Sequence, residues 1–232
     1  MSALALSGVG AVPPPARADF DISALSCPAS LFTGDFYFSA RRSSGLWFVL
    51  GDVAGKGIDS AVLMGLVMEE IERMVDLGVP SVASLIDELH RSLRPELPPN
   101  RFVTLTAGRV DAEGGLEIVN AGHPPSLIVH QSGKVEPVVA TGPVVGILCC
   151  SRWATRLLRL DEKATLFLYS DGLLEALSPD EEEFGFDRIR ATLARGRHLD
   201  ANGLTSLVYE AVASHRAGRA PNDDLTLMAL RR

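Results

Sequence analysis

The hydrophobic period of this chain changes once, and that change limits the folds open to it. Between residues 59 and 77, Val62, Leu63, Leu66, Val67, Met68, Ile71, Met74 and Val75 recur at three- and four-residue spacing, with Glu69, Glu70, Glu72 and Arg73 between them. That is an amphipathic helix, with Asp59 as its predicted N-cap and the stripe of Met64, Met68 and Met74 packed in the core. Residues 80–94 repeat the pattern with Val82, Leu85, Ile86, Leu89 and Leu93 on one side, and the prolines of "RPELPPN" stop it. Beyond residue 101 the segments shorten. "FVTLTAGRV", "GLEIVNA", "SLIVHQ" and "KVEPVVA" are rich in β-branched residues and separated by "DAEGG", "GHPP" and "SG", which predicts one antiparallel meander. "LWFVL" (46–50), "ATLFLYS" (164–170) and the closing "DDLTLMALR" read as further strands, and residues 184–195 and 203–216 as two more helices. Strands come in runs and helices in pairs, without regular βαβ alternation. The fold expected is α+β, with mostly antiparallel sheets and helices layered outside.

Composition excludes several function classes. A length of 232 residues allows one substantial core or two small ones, and no apolar run approaches the ~20 residues that span a bilayer. The net charge of −7, from 22 basic and 29 acidic residues, argues against a nucleic-acid partner. It also means that a phosphate-bearing substrate needs local positive charge to offset the overall field. Cys27, Cys149 and Cys150 are odd in number and include no CxxC, so they are read as core-filling thiols of a cytoplasmic protein. Residues 1–19, with "AVPPPARAD", lack a positive n-region and are read as a flexible arm ahead of a single domain over 20–232.

The stretch "VLGDVAGKGIDSAVL" raises the chemical question. An apolar strand stops at a glycine-rich turn that carries one carboxylate, and a helix follows. Such a turn either cradles a nucleotide phosphate or holds a cation. A P-loop needs G-x-x-x-x-G-K-[ST], but "GDVAGKG" is one residue short and has Gly57 where the hydroxyl belongs. Asp52 would also set a negative charge against the phosphates. Three more aspartates sit beside a glycine or a strand end: Asp35 in "FTGDFYF", Asp171 in "LYSDGLLEA" and Asp223 in "PNDDLTL". Each alone is a common turn residue. If the strand ends converge, the carboxylates repel one another unless divalent cations neutralise them, and all-oxygen donors suit Mg²⁺ or Mn²⁺ better than zinc.

"GDVAGKG", "NAGHPP", "LYSDGLLEA", "FGFDRI" and "NDDLTL", in this order, resemble the bacterial metal-dependent serine/threonine phosphatases of the stage II sporulation protein E family, within the wider type 2C (PPM) group. The resemblance runs from about residue 20 to the C-terminus. It implies one phosphatase domain of two packed, mostly antiparallel sheets flanked by helices. It also implies two Mn²⁺ or Mg²⁺ ions, held by Asp35, Asp52, the carbonyl of Val53, Asp171 and Asp223, with Asp52 bridging. The activity implied is hydrolysis of phosphoserine or phosphothreonine on a partner protein by an activated water. By analogy the substrate is an anti-anti-sigma-factor-like domain, and a docked partner or second copy of the chain switches the enzyme through the helices at 59–94. No nucleic acid or membrane is implied.

Two positions depart from the family pattern. Thr33 replaces a glycine, and Phe38 replaces a second aspartate, which is expected to lower the negative charge near Asp35. These changes motivate an alternative, a weakly active or non-catalytic binding module on a phosphatase fold. Lys56 is read equally as a phosphate contact or a solvated loop residue, and His123 as a turn-stabilising residue rather than a general acid. Of the neighbours Asp223 and Asp224, the first is expected to be the ligand. The second is expected to face away and accept amides in the turn after Pro221.

Overall fold

The computed structural model describes residues 20–232 apart from 96, 99 and 150. The arm assigned to residues 1–19 and the packing assigned to Cys150 lie outside the described residues. Two five-stranded sheets, antiparallel throughout, form the centre. The first sheet runs β1 (Asp21–Cys27), β10 (Leu225–Arg231), β9 (Thr165–Tyr169), β6 (Ser126–Val129) and β7 (Val135–Val138). The second runs β2 (Asp35–Arg42), β3 (Gly45–Val53), β4 (Val103–Val110), β5 (Gly115–Ala121) and β8 (Arg156–Arg159). Helices α1 (Ile58–Asp76) and α2 (Val82–Leu93) cover the second sheet, while α4 (Gly185–Arg195) and α5 (Ala201–Arg216) cover the first. A single turn, α3 (Asp171–Leu174), follows β9.

Strand alternation builds the layers. In β3, Phe48 and Leu50 face Leu166, Leu168 and Met228 of the first sheet, while Trp47 and Val49 face Val67, Ile71, Leu85 and Leu89 of the helices. On the far side, Phe167, Tyr169 and Leu227 meet Leu193, Leu204 and Val208. Each such large apolar side chain, taken fully from water, contributes about 1.5–3 kcal/mol. Among the described residues no helix is long and apolar enough to cross a membrane.

The predicted elements recur with corrections. The single meander is two hairpins: β4–β5 belongs to the second sheet and β6–β7 to the first, because the turn at Gly122 carries the chain across. β1, β2 and β8 are found where no strand is predicted. Asp59 is not the N-cap of α1. Gly57, at φ 87°, begins the helix, and Asp59 sits in its first turn, where a carboxylate suits the helix dipole. Val62 and Leu66 are not core residues, being 59% and 51% exposed, because α1 buries only the narrower stripe of Leu63, Val67, Ile71, Met74 and Val75. Met74 is buried, whereas Met64 and Met68 pack at the core's margin. Cys27 is half-buried and Cys149 is exposed, so the reading of both as core fillers does not hold.

The inter-sheet packing has no slack beside Phe48. A Cβ on Gly108 would stand 2.2 Å from its ring. Gly108→Ala is expected to lower stability by about 1–3 kcal/mol through overpacking, read as a lower urea midpoint with unchanged slope.

Candidate metal centre

Register places the first two aspartates. β2 and β3 pair Asp35 with Asp52, so both side chains emerge on the inner face that carries Phe48 and Leu50. The strands end there, and oxygens gather. A Cβ on Gly34 would lie 2.6 Å from Asp52 Oδ1 and 2.7 Å from the Val53 carbonyl oxygen, so the two converge over a residue without a side chain. The other two aspartates come from the first sheet. Asp171 opens α3 directly after β9, and Asp223 lies two residues before β10. Ser170 joins them: its hydroxyl accepts from Thr226 N at 2.9 Å and donates to the Asp224 carbonyl at 3.2 Å. Gly172 packs so closely on that carbonyl that a Cβ would stand 2.0 Å away.

The carboxylates raise one another's proton affinity. Burial first, with Asp52 and Asp224 adding repulsion, pushes Asp35 up to about 8, against the opposing pull of the Thr226 and Ser170 hydroxyls. Burial and then Asp171, Asp223 and Asp224 push Asp52 up to about 7. Asp171 is raised by burial and by Asp223, although the Gly172 amide opposes the shift. Asp35 Oδ2 is buried without a hydrogen-bond partner. Among the described residues no three His, Cys, Asp or Glu side chains stand as a ready-made cation cage. The donor chemistry nevertheless fits hard divalent cations: oxygen only, anionic and mutually repelling, with one orphaned carboxylate oxygen.

Neighbouring residues take defined structural roles. Asp224 does accept backbone amides, but not in the turn after Pro221. It takes Ala29 N at 2.7 Å and Gly34 N at 3.3 Å, and so clamps the loop that leads into Asp35. Asp223 and Asp224 both precede β10, so their separate roles come from the turn and not from strand alternation. Asp223 Oδ1 accepts from Asp224 N, and its Oδ2 lies 3.7 Å from Lys56 Nζ, whose side chain is 79% exposed. His123 is buried. Its backbone exchanges hydrogen bonds with the Asn120 side chain, and Nδ1 pairs with Thr104 Oγ1 at 2.9 Å. Burial pulls it down to about 3, so it stays neutral and serves the turn. Thr33 is not a bare loss, because its hydroxyl accepts from Asp35 N at 3.0 Å. Phe38 lies on the helix side of the sheet, opposite in face to Asp35, so it leaves the charge on Asp35's own face unchanged.

Sequence reasoning misses Arg101. Its Nη1 donates to the Ala54 carbonyl at 2.6 Å and to Ser60 Oγ at 2.9 Å, tying the acidic turn to the start of α1. The same nitrogen fills the space above Gly55, 1.2 Å from where a Cβ would be. A guanidinium therefore occupies the hollow that a phosphate-cradling loop would leave open. Nothing in the spacing around "PPNRF" signals this.

A sequence profile of the family described as Stage II sporulation protein E (SpoIIE) matches residues 42–232. Protein IcfG of Synechocystis is 26% identical over 92% of this chain and 38% of its own length. Phosphoserine phosphatase RsbU of Bacillus subtilis is 25% identical over 94% and 65%. The chain thus spans 38% and 65% of the length of these two relatives. Among solved structures, the SiaA-PP2C domain of Pseudomonas aeruginosa superposes with a TM-score of 0.82 at 19% identity, covering 91% of this chain and 85% of that one. RsbX in complex with magnesium superposes at 0.70 with 13% identity, over 91% of this chain and 94% of that one. At these identities the likeness establishes the fold, the two-sheet α+β architecture described above.

The raised carboxyls set a pH dependence in metal-free protein. A carboxyl whose folded pKa exceeds its unfolded value costs stability progressively as pH climbs from the unfolded to the folded value. For Asp35 and Asp52 that window runs from 3.8 to about 8 and about 7. In chelator, the thermal midpoint is expected to fall across this window and then level, and Asp52→Asn is expected to recover part of the fall. Added Mn²⁺ should raise the wild-type midpoint most at the alkaline end. Melting curves at several pH values check all three.

Proposed function

The chain belongs to the stage II sporulation protein E family, and on that premise we propose that it hydrolyses phosphoserine or phosphothreonine esters on a partner protein, as a metal-dependent phosphatase. The observation that carries this reading is the convergence of the Asp52 carboxylate and the Val53 carbonyl over Gly34, beside Asp171 and Asp223 at the same sheet edge. Asp52 and the Val53 carbonyl would hold one corner of a two-cation centre. Asp171 and Asp223 would hold the other, and Asp35 would adjoin Asp52. Mg²⁺ or Mn²⁺ bound there supplies Lewis-acid chemistry for phosphate-ester hydrolysis.

The chain's own groups divide the remaining work. Arg101 and the Asp224 clamp fix the two loops from which these oxygens project, so that donors are oriented before substrate arrives. Lys56 stands beside Asp223 at the rim, where its ammonium can meet an incoming phosphoryl group. His123, sealed and neutral, moves no proton. The names of phosphoserine phosphatases RsbU and RsbP support the substrate class. A partner-switching pathway in the cytoplasm, with an anti-anti-sigma-factor-like substrate, extends the same analogy. By the same analogy a docked partner or a second copy of the chain activates the enzyme through the helices at 59–94.

Hydrolysis of p-nitrophenyl phosphate should require Mn²⁺ or Mg²⁺, and undiminished turnover after exhaustive chelation would overturn the reading. Within it, Asp223→Asn should cost orders of magnitude in kcat. Asp224→Asn should cost far less, since its amide oxygen still accepts one of the two loop amides. The reverse order would show that the ligand is Asp224.

A further inference from the structure

At the C-terminal end of α2 the surface folds into a cavity of about 530 Å³, whose lining includes Arg91, Arg94, Arg152, His90, Trp153 and Asp87. Arg91 is engaged by Glu88 one turn back. The side chains of Arg94 and Arg152 have no ion-pair or hydrogen-bond partner among the described residues. His90 is only 8% exposed, and its Nδ1 accepts from Gly146 N at 3.1 Å, which leaves the ring proton on Nε2. That Nε2 is sealed from solvent beside the Leu148 backbone, so the imidazole forms the floor of the cavity and the arginines its reachable donors. The ring is held edge-on to Trp153 at 5.2 Å between centroids. Two guanidinium groups without a partner among the described residues therefore share one hollow and outnumber the single carboxylate, Asp87, on its wall, an excess of positive charge that an anion completes.

The hollow lies close to the acidic centre. Val145 bridges to Val103, and Val103 stands opposite Val53. At ~4.8 Å per strand spacing, Val145 is about 10 Å from Val53, and Gly146, next along the chain, reaches the cavity through its hydrogen bond to His90. Around it the protein is anionic, with a net charge of −7 and four aspartates at the centre. A protein surface carrying phosphate and carboxylates meets net repulsion on approach, which such a local cationic pocket offsets.

We propose that this cavity is a docking pocket for an aspartate or glutamate side chain of the phosphoprotein substrate, on the same face as its phosphorylated residue. The inference rests on the phosphatase reading above. Guanidinium groups suit the planar carboxylate, and at ~3.3 Å per residue of extended chain a carboxylate about three to five residues from the phosphorylated one reaches roughly 10–16 Å along the surface.

The test compares synthetic phosphoserine peptides that carry aspartate or glutamate at those distances with peptides that carry asparagine or glutamine there. Wild-type protein with Mn²⁺ should favour the acidic set by about tenfold in kcat/KM, through KM, and the preference should shrink in high salt. Arg94→Ala/Arg152→Ala should abolish the preference while hydrolysing p-nitrophenyl phosphate like wild type. Equal handling of both sets by wild type, or a preference that survives in the double variant, would overturn the proposal. If no substrate is hydrolysed, the phosphatase reading fails, and docking is judged separately by tryptophan fluorescence titrated with the unphosphorylated acidic peptide. Trp47 is sealed in the helix–sheet core, so Trp153 reports on the cavity. A response in wild type that the double variant loses supports docking, and no response in wild type overturns it. Inorganic phosphate giving the same response at the same concentration would make the cavity a small-anion site and also overturn the proposal.

Discussion

The two sheets are held together by one strip of apolar contact, and the placement of every acidic group depends on it. Phe48 and Leu50 from one sheet meet Leu166, Leu168 and Met228 from the other. Side chains alternate along a strand, so fixing these residues inward also fixes Asp52, two beyond Leu50, on the same face. The register of β2 on β3 then brings Asp35 opposite. Hydrophobic burial in the middle of the sandwich thus dictates carboxylate burial at its edge. The cost appears in the proton affinities of Asp35 and Asp52, both far above the ordinary carboxylate range.

Much of this was legible in the residues. The helical stripes of α1 and α2 and the β-branched strands follow from periodicity, and the four aspartates stand out because each adjoins a glycine or a strand end. The assignment of hairpins to sheets was not legible. Both hairpins have the same local pattern, and only the crossover at Gly122 separates them. The width of the buried face of α1 was also hidden, since Val62 and Leu66 match the helical period and still face solvent. Where contacts span long stretches of chain, local patterns are silent. Arg101 reaches Ala54 and Ser60 across more than forty positions (101 − 60 = 41), and Asp224 reaches Ala29 across nearly two hundred. Asp224 shows the limit well. Its neighbour relation to Asp223 was readable, but the loop it clamps was not.

The distribution of charge follows from the same architecture. Strand ends deliver acids to one edge of the sandwich, and the C-terminal turns of α2 bring arginines to the helix layer beside it. The overall charge of −7 conceals this division. An average over the surface predicts repulsion of any phosphoprotein, whereas the local arrangement separates an acidic centre, suited to cations, from a basic hollow, suited to carboxylates.

The glycines around the centre carry a different lesson. Gly34 is bare because Asp52 and Val53 oxygens occupy its side-chain space, Gly51 because Phe36 and the Thr104 carbonyl do, and Gly172 because the Asp224 carbonyl does. These are steric requirements of chain crossing and would persist in a descendant that had lost every metal ligand. Two halves of one motif therefore record different histories. The glycines testify that the backbone still folds this way, and the aspartates alone testify that the chemistry is retained. A relative that keeps these glycines but exchanges the adjoining acids would look like an enzyme by its glycines and be only a scaffold.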